Sequence, residues 1–142
     1  MKIAIPVWEG KISPVLDTAS RLMIVEVEDK EVSSRLEIYL DEWDLTRRCL
    51  RIQNLGVDTL ICGAVSRPFS RMLSASGVNL IAGISGPAED VLNACLHGNL
   101  AHPRFLMPGF KKNLVRKNVK FLDSKMSEHK KSKEQTNGKF EA

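Results

Sequence analysis

The sequence predicts an α/β fold, a three-layer α/β/α arrangement with a mixed five-stranded sheet covered by helices on both faces. Three observations carry this expectation. Short apolar runs of strand length alternate with segments whose apolar residues recur at helical spacing, glycines close each helical segment, and two consecutive strand–glycine loop–helix units occupy the middle of the chain. A crossover helix returns the chain to the same end of a sheet, so the strands of those units run parallel.

Taken in order, Lys2 to Val7 is a run of small and β-branched residues, the pattern of a strand buried on both faces. Trp8 to Pro14 holds Gly10, Ser13 and Pro14, which predicts a loop of about ten residues before Arg21. Leu22 to Val27 and Val32 to Leu40, joined by Glu28-Asp29-Lys30-Glu31, read as an antiparallel hairpin with its second strand at a solvated edge. After Asp44 the period changes. Leu45, Cys49 and Ile52 make one apolar helix face, Arg47, Arg48 and Arg51 fill the other, and Gly56 ends the helix. Asp58 to Cys62 is the fourth strand; Gly63 to Pro68 leads into a helix with Phe69, Met72 and Leu73 inward and Gly77 at its end. Val78 to Ala82 is the fifth strand, followed by Gly83-Ile84-Ser85-Gly86, Pro87 at the first helical position, and a helix with Ala88, Val91, Leu92 and Cys95 on one face before Gly98. The expected division is a folded domain over 1–110 and a basic, disordered tail over 111–142.

Composition narrows the function. The chain has 142 residues, 43% apolar and 27% charged, which fits a single globular domain and excludes collagenous and wholly disordered classes. Its start is too short in apolar residues for a signal peptide, and no run approaches a membrane span; the expectation is a cytoplasmic protein with no membrane partner. The net charge of +4 divides unevenly: 10 Lys/Arg against 13 Asp/Glu from Met1 to Pro103, then 11 against 4 from Arg104 to Ala142. Basicity confined to a tail, with only Phe110 and Phe121 as interleaved aromatics, is a weak nucleic-acid signature.

Ligands of open α/β sheets collect outside the carboxyl ends of parallel strands. Three segments meet there: Trp8 to Asp17, Gly63 to Pro68 and Gly83 to Pro87. Each carries Gly and Ser, exposing backbone N–H groups near helix starts and favouring an anion, or simply making tight turns and caps. No phosphate loop, dinucleotide fingerprint or nucleophile elbow is present. The histidines His97, His102 and His129 fall late in the chain without a paired acid. Three cysteines without C-x-x-C spacing argue against disulfides and standard zinc sites; Cys49 and Cys95 lie on apolar helix faces as packing, and Cys62 ends a strand at the proposed cleft, either as a small buried hydrophobe or as a ligand.

The stretches Met1 to Val7, Ser13-Pro14-Val15-Leu16-Asp17-Thr18-Ala19, Gly56 to Gly63 and Gly83-Ile84-Ser85-Gly86 together resemble the dinitrogenase iron-molybdenum cofactor biosynthesis family over about residues 1 to 110. The resemblance implies a ribonuclease-H-like fold, with sheet order 3-2-1-4-5 and strand two antiparallel. It also implies a carrier, not an enzyme, for iron–sulfur, iron–molybdenum or molybdenum–copper species, with a cluster donor or acceptor protein as partner. Many cluster-carrying members have His-Phe-Gly where this chain reads Val15-Leu16-Asp17, and some have a cysteine after Met-Pro-Gly where Phe110 follows Met107-Pro108-Gly109. The implied site is therefore Ser13, Pro14, Gly63, Ala64, Ser66, Arg67, Ile84, Ser85 and Gly86, with Cys62 as the one metal-ligand candidate. N–H donors and Arg67 would hold an anionic cluster without covalent ligation; Arg67 could equally be a solvated loop residue or pair with a carboxylate.

Two other readings bear on the fold. A nuclease of this topology holds metal ions between carboxylates, one of them on strand one, and Lys2 to Val7 has no acid. An interaction module would instead use Lys111-Lys112, Arg116-Lys117 and Lys130-Lys131 to grip an acidic partner or nucleic acid. The strand Val32 to Leu40 leaves a monomer or a weak homodimer open.

Overall fold

The computed structural model describes residues 1–109, 119, 120 and 122. The strands are β1 (Lys2–Trp8), β2 (Lys11–Ile12), β3 (Arg21–Glu28), β4 (Glu31–Tyr39), β5 (Thr59–Ile61) and β6 (Asn79–Ile81). The helices are α1 (Leu45–Asn54), α2 (Arg67–Ala75) and α3 (Ala88–Leu96), with single 3-10 turns at Leu16–Thr18 and Pro103–Phe105. The main sheet runs β4-β3-β1-β5-β6, the order that the resemblance implies. β1, β5 and β6 are parallel, and β3 is antiparallel to both of its neighbours.

Strand alternation splits the core into two layers. Ile3, Ile5 and Val7 of β1, with Met23, Val25, Ile61 and Ile81, face α3 through Ala88, Val91, Leu92 and Cys95. Ala4, Leu22, Ile24, Leu60 and Leu80 face the other way, onto Cys49 and Ile52 of α1 and Phe69 and Leu73 of α2. Both faces of β1 are thus covered, which is why its residues Ile3 to Val7 are all buried without polar alternation. Val119 and Leu122 are buried in the α3 layer, so burial does not stop at the expected boundary of 110. The rest of the expected tail lies outside the described residues.

Several expectations change. The first loop holds a second hairpin: Glu9 and Gly10, both at positive φ, turn β1 back into β2, with Trp8 opposite Lys11. β5 and β6 are three residues each, shorter than the apolar runs. Pro87 is the N-cap of α3, and Ala88 begins the helix. Arg48 is not on a solvated face. It is 8% exposed, and its guanidinium donates to the carbonyls of Glu42 (2.8 Å), Ala19 (2.7 Å) and Leu40 (3.3 Å). These carbonyls belong to connecting segments with no ladder of their own, and the fork of Arg donors satisfies all three. Nearby, burial works to raise the Glu42 carboxyl, but the Arg51 hydrogen bond and the charges of Arg51 and Arg48 outweigh it and hold it below the usual range.

Candidate functional site

The loops after β1, β5 and β6 do converge at the carboxyl ends of the parallel strands, and backbone hydrogen bonds lace them into one rim. Ala64 N–H donates to Pro14 O (2.8 Å) and Leu16 N–H to Ala64 O (2.9 Å), which joins the first loop to the second. Gly83 N–H donates to Gly63 O (2.9 Å), and Ile84 N–H to Cys62 O (3.0 Å), which joins the second to the third. Ile12 N–H donates to Gly86 O (3.0 Å), which joins the third back to the first. A Cβ at Gly63 would stand 2.6 Å from Pro14 O, so only glycine allows the first two loops to approach this closely.

This lacing changes the chemistry expected of the glycine loops. The N–H groups of Ala64, Gly83, Ile84 and Ser85 are taken up by protein carbonyls, the last by Phe105 O at 2.7 Å. Ser13, Gly63 and Ile84 are buried beneath the rim. Ser66 caps α2 by accepting from Phe69 N–H (3.3 Å), and its own N–H donates to Asp17 Oδ1 (2.9 Å). Five of the expected open backbone donors, on Ala64, Ser66, Gly83, Ile84 and Ser85, are therefore taken: a loop buried against its neighbours satisfies its polar groups internally. Of the sequence-derived set, Pro14 and Arg67 are exposed, while Ala64, Ser66, Ser85 and Gly86 are partly exposed.

Cys62 is fully buried in the layer beneath α1 and α2. Burial, reinforced by the negative charge of Asp17, pushes its thiol up to about 12. At neutral pH it is a protonated core side chain, whereas a metal ligand must give up that proton. Among the described residues no three His, Cys, Asp or Glu gather into a group that could hold a metal ion. Cys49 and Cys95 are buried as packing, Cys49 with Sγ 3.3 Å from Ser76 Oγ. Phe110 lies outside the described residues.

Three contributions escape the sequence-level reading. Asp17 sits at the α2 N-terminus through its bond to Ser66 N–H, so a carboxylate of the chain already occupies an anion-favouring position. Lys11 pairs with Pro87, setting an exposed cation beside the third loop. Leu106 and Met107 close a fourth side, Met107 N–H donating to Gly83 O (2.8 Å) and Leu106 bridging to Ile84. The apolar pair Leu106-Met107 was the one sequence signal of this, in a segment without periodicity. Two grooves lie on the α3 side of the sheet. One, of about 630 Å³, is lined by Trp8, Arg21, Arg35, Glu37 and Glu89; the other, of about 470 Å³, by Asp90, His97, Asn99, His102 and Arg104.

The fold and rim define an α/β protein with a mixed sheet whose loops are laced together at the carboxyl ends of its parallel strands. The chain belongs to the dinitrogenase iron-molybdenum cofactor family, whose model matches residues 1–98. It is similar in structure to the protein PH0822, whose crystal structure aligns with a TM-score of 0.68 and 16% identity over 80% of this chain and 98% of that one. A crystal structure from Methanocaldococcus jannaschii, of a protein provisionally named a dinitrogenase, aligns with a TM-score of 0.60 and 23% identity over 70% and 90%. A Thermotoga protein provisionally named NifB and placed in the DUF35 family aligns with a TM-score of 0.53 and 22% identity over 69% and 89%. At these identities the likeness shows the fold. No curated protein matches this chain. No helix among the described residues is long and apolar enough to cross a membrane.

Proposed function

We propose that this protein is a non-catalytic carrier of an anionic metal–sulfur cluster or cofactor precursor of iron–sulfur, iron–molybdenum or molybdenum–copper type. Membership in a family described by the iron–molybdenum cofactor supports the class of cargo. The observation that carries the reading is the laced rim itself: three loops held rigid around strand ends, with exposed Arg67 at the start of α2 and no ion pair to it among the described residues.

A cluster gripped by protein thiolates does not fit this rim, since Cys49, Cys62 and Cys95 are all buried in the core. What fits is an anion held from outside. Arg67 supplies charge and directed donors, Lys11 adds a second cation, and the hydroxyl of Ser85 is open enough to donate. The carboxylate of Asp17, held by Ser66 N–H, opposes this attraction, so binding by this rim is reversible, as a protein that passes its cargo onward requires. The donor or acceptor protein would meet the same face.

The test is anaerobic reconstitution of the full chain with iron and sulfide, or with tetrathiomolybdate, followed by metal and sulfide analysis. Stoichiometric uptake is expected, with R67A lowering affinity roughly tenfold, the size of one charge-assisted contact. Uptake by R67A equal to that of the native chain would remove Arg67 from the site, and no uptake under either condition would overturn the carrier reading.

A further inference from the structure

At the edge of the sheet, β4 presents nine residues with every one from Glu31 to Glu37 exposed, whereas the opposite edge strand, β6, has three. Leu40 N–H donates to Ser20 O (2.8 Å), continuing the β3–β4 register in which Ile38 faces Leu22 and Leu36 faces Ile24. In an antiparallel ladder alternate residues bond the same neighbour, so Leu36, Ile38 and Leu40 turn their backbone groups to β3. The N–H and C=O groups of Arg35, Glu37 and Tyr39 therefore point away from the sheet.

We propose that this edge docks a second copy of the same chain, β4 pairing antiparallel with β4 about a twofold axis at Leu36. Outward residues pair only with outward residues, so the axis must pass through one residue position. An axis at Arg35 sets two guanidiniums opposite each other, and one at Glu37 sets two carboxylates opposite. An axis at Ser34 carries the seam into the register shift opposite Glu26 and Val27, where the ladder is irregular. An axis at Leu36 sets Arg35 against Glu37 of the second copy on one face, twice by symmetry. It also places the two Leu36 side chains, each 58% exposed in the single chain, against each other on the other face.

The present partners of these charges do not prevent the exchange. Arg35 pairs with Glu89, and Glu37 with Arg21 at 3.5 Å, and all four side chains are substantially exposed. Such pairs are worth little in water and can re-form across the seam. The register shift opposite Glu26 and Val27 leaves the regular edge from Ser34 to Tyr39, so the ladder gains about four N–H···O bonds. A contact of this size gives a weak dimer, and the inference does not depend on the preceding proposal.

The test is sedimentation equilibrium of the full chain, with circular dichroism confirming that each variant folds. The native chain is expected to dimerise reversibly below about 1 mM. R35E alone and E37R alone each place like charges at both pairs and are expected to weaken self-association at least about tenfold. Mixed together they set two acids against two guanidiniums and are expected to restore the dimer. L36K, which puts two ammonium groups on the axis, is expected to abolish it. A native chain monomeric at about 1 mM, a single variant that dimerises as well as the native chain, or a mixture that fails to recover association would each overturn the proposal.

Discussion

The loop rim at the strand ends and the edge strand β4 treat their backbone polar groups in opposite ways. At the rim formed by the loops after β1, β5 and β6, close approach of the segments gives the N–H groups of Ala64, Gly83, Ile84 and Ser85 carbonyl partners within the protein. Along β4 the chain is regular and extended, and every second residue leaves its polar groups to solvent. A glycine-rich loop is therefore no guarantee of open donors, and an ordinary-looking edge strand can offer more of them. The rim interacts through the few side chains that remain outside it, chiefly Arg67, whereas the edge interacts through its backbone.

Substitutions that unseat the rim should be costly, and those at the edge nearly free. The largest effect is expected at Phe69, fully buried between α2 and the sheet: F69A should lose about 3–5 kcal/mol in denaturant unfolding. Next is the pH dependence set by Cys62. Its folded pKa of about 12 stands above its ordinary value of 9, so its contribution is complete below pH 9 and falls as pH rises toward 12. The stability advantage of the native chain over C62A should narrow across that window by up to about 4 kcal/mol, and an unchanged gap would show Cys62 to be less shielded than the structure has it. G63A forces Pro14 aside and should cost about 1–3 kcal/mol, with faster amide exchange at Ala64 and Leu16. D17N keeps the shape but weakens the bond to Ser66 N–H, and a loss of about 1 kcal/mol is expected from thermal melts. At the other end, R35E should change monomer stability by less than about 0.5 kcal/mol while altering self-association. A large stability loss there would erase the contrast.

What could be read from the residues was local. β1 was visible because a strand covered on both faces is a continuous apolar run, and α2 because Ser66, Phe69 and Leu73 mark its cap and buried face. The hairpin of β1 and β2 had its signal in Glu9-Gly10, which the longer loop assignment passed over. The rest depended on distant partners. Arg48 looks like a solvated charge until three carbonyls from other segments surround it. The bond that makes Asp17 a cap for α2 spans 49 positions, and nothing near either residue announces it. The same holds for the loop donors: Ser85 appeared open because its acceptor, Phe105, lies in a stretch without periodicity.

The most direct test of the carrier reading is to titrate tetrathiomolybdate into the isotopically labelled full chain and follow its backbone amide signals. The account predicts shifts clustered at Lys11, Val15, Ser66, Arg67, Ser85 and Gly86, with the amides of β4 unmoved and the cluster lost in R67A. Shifts centred on the groove beside His97 and His102, or no change at saturating ligand, would contradict it.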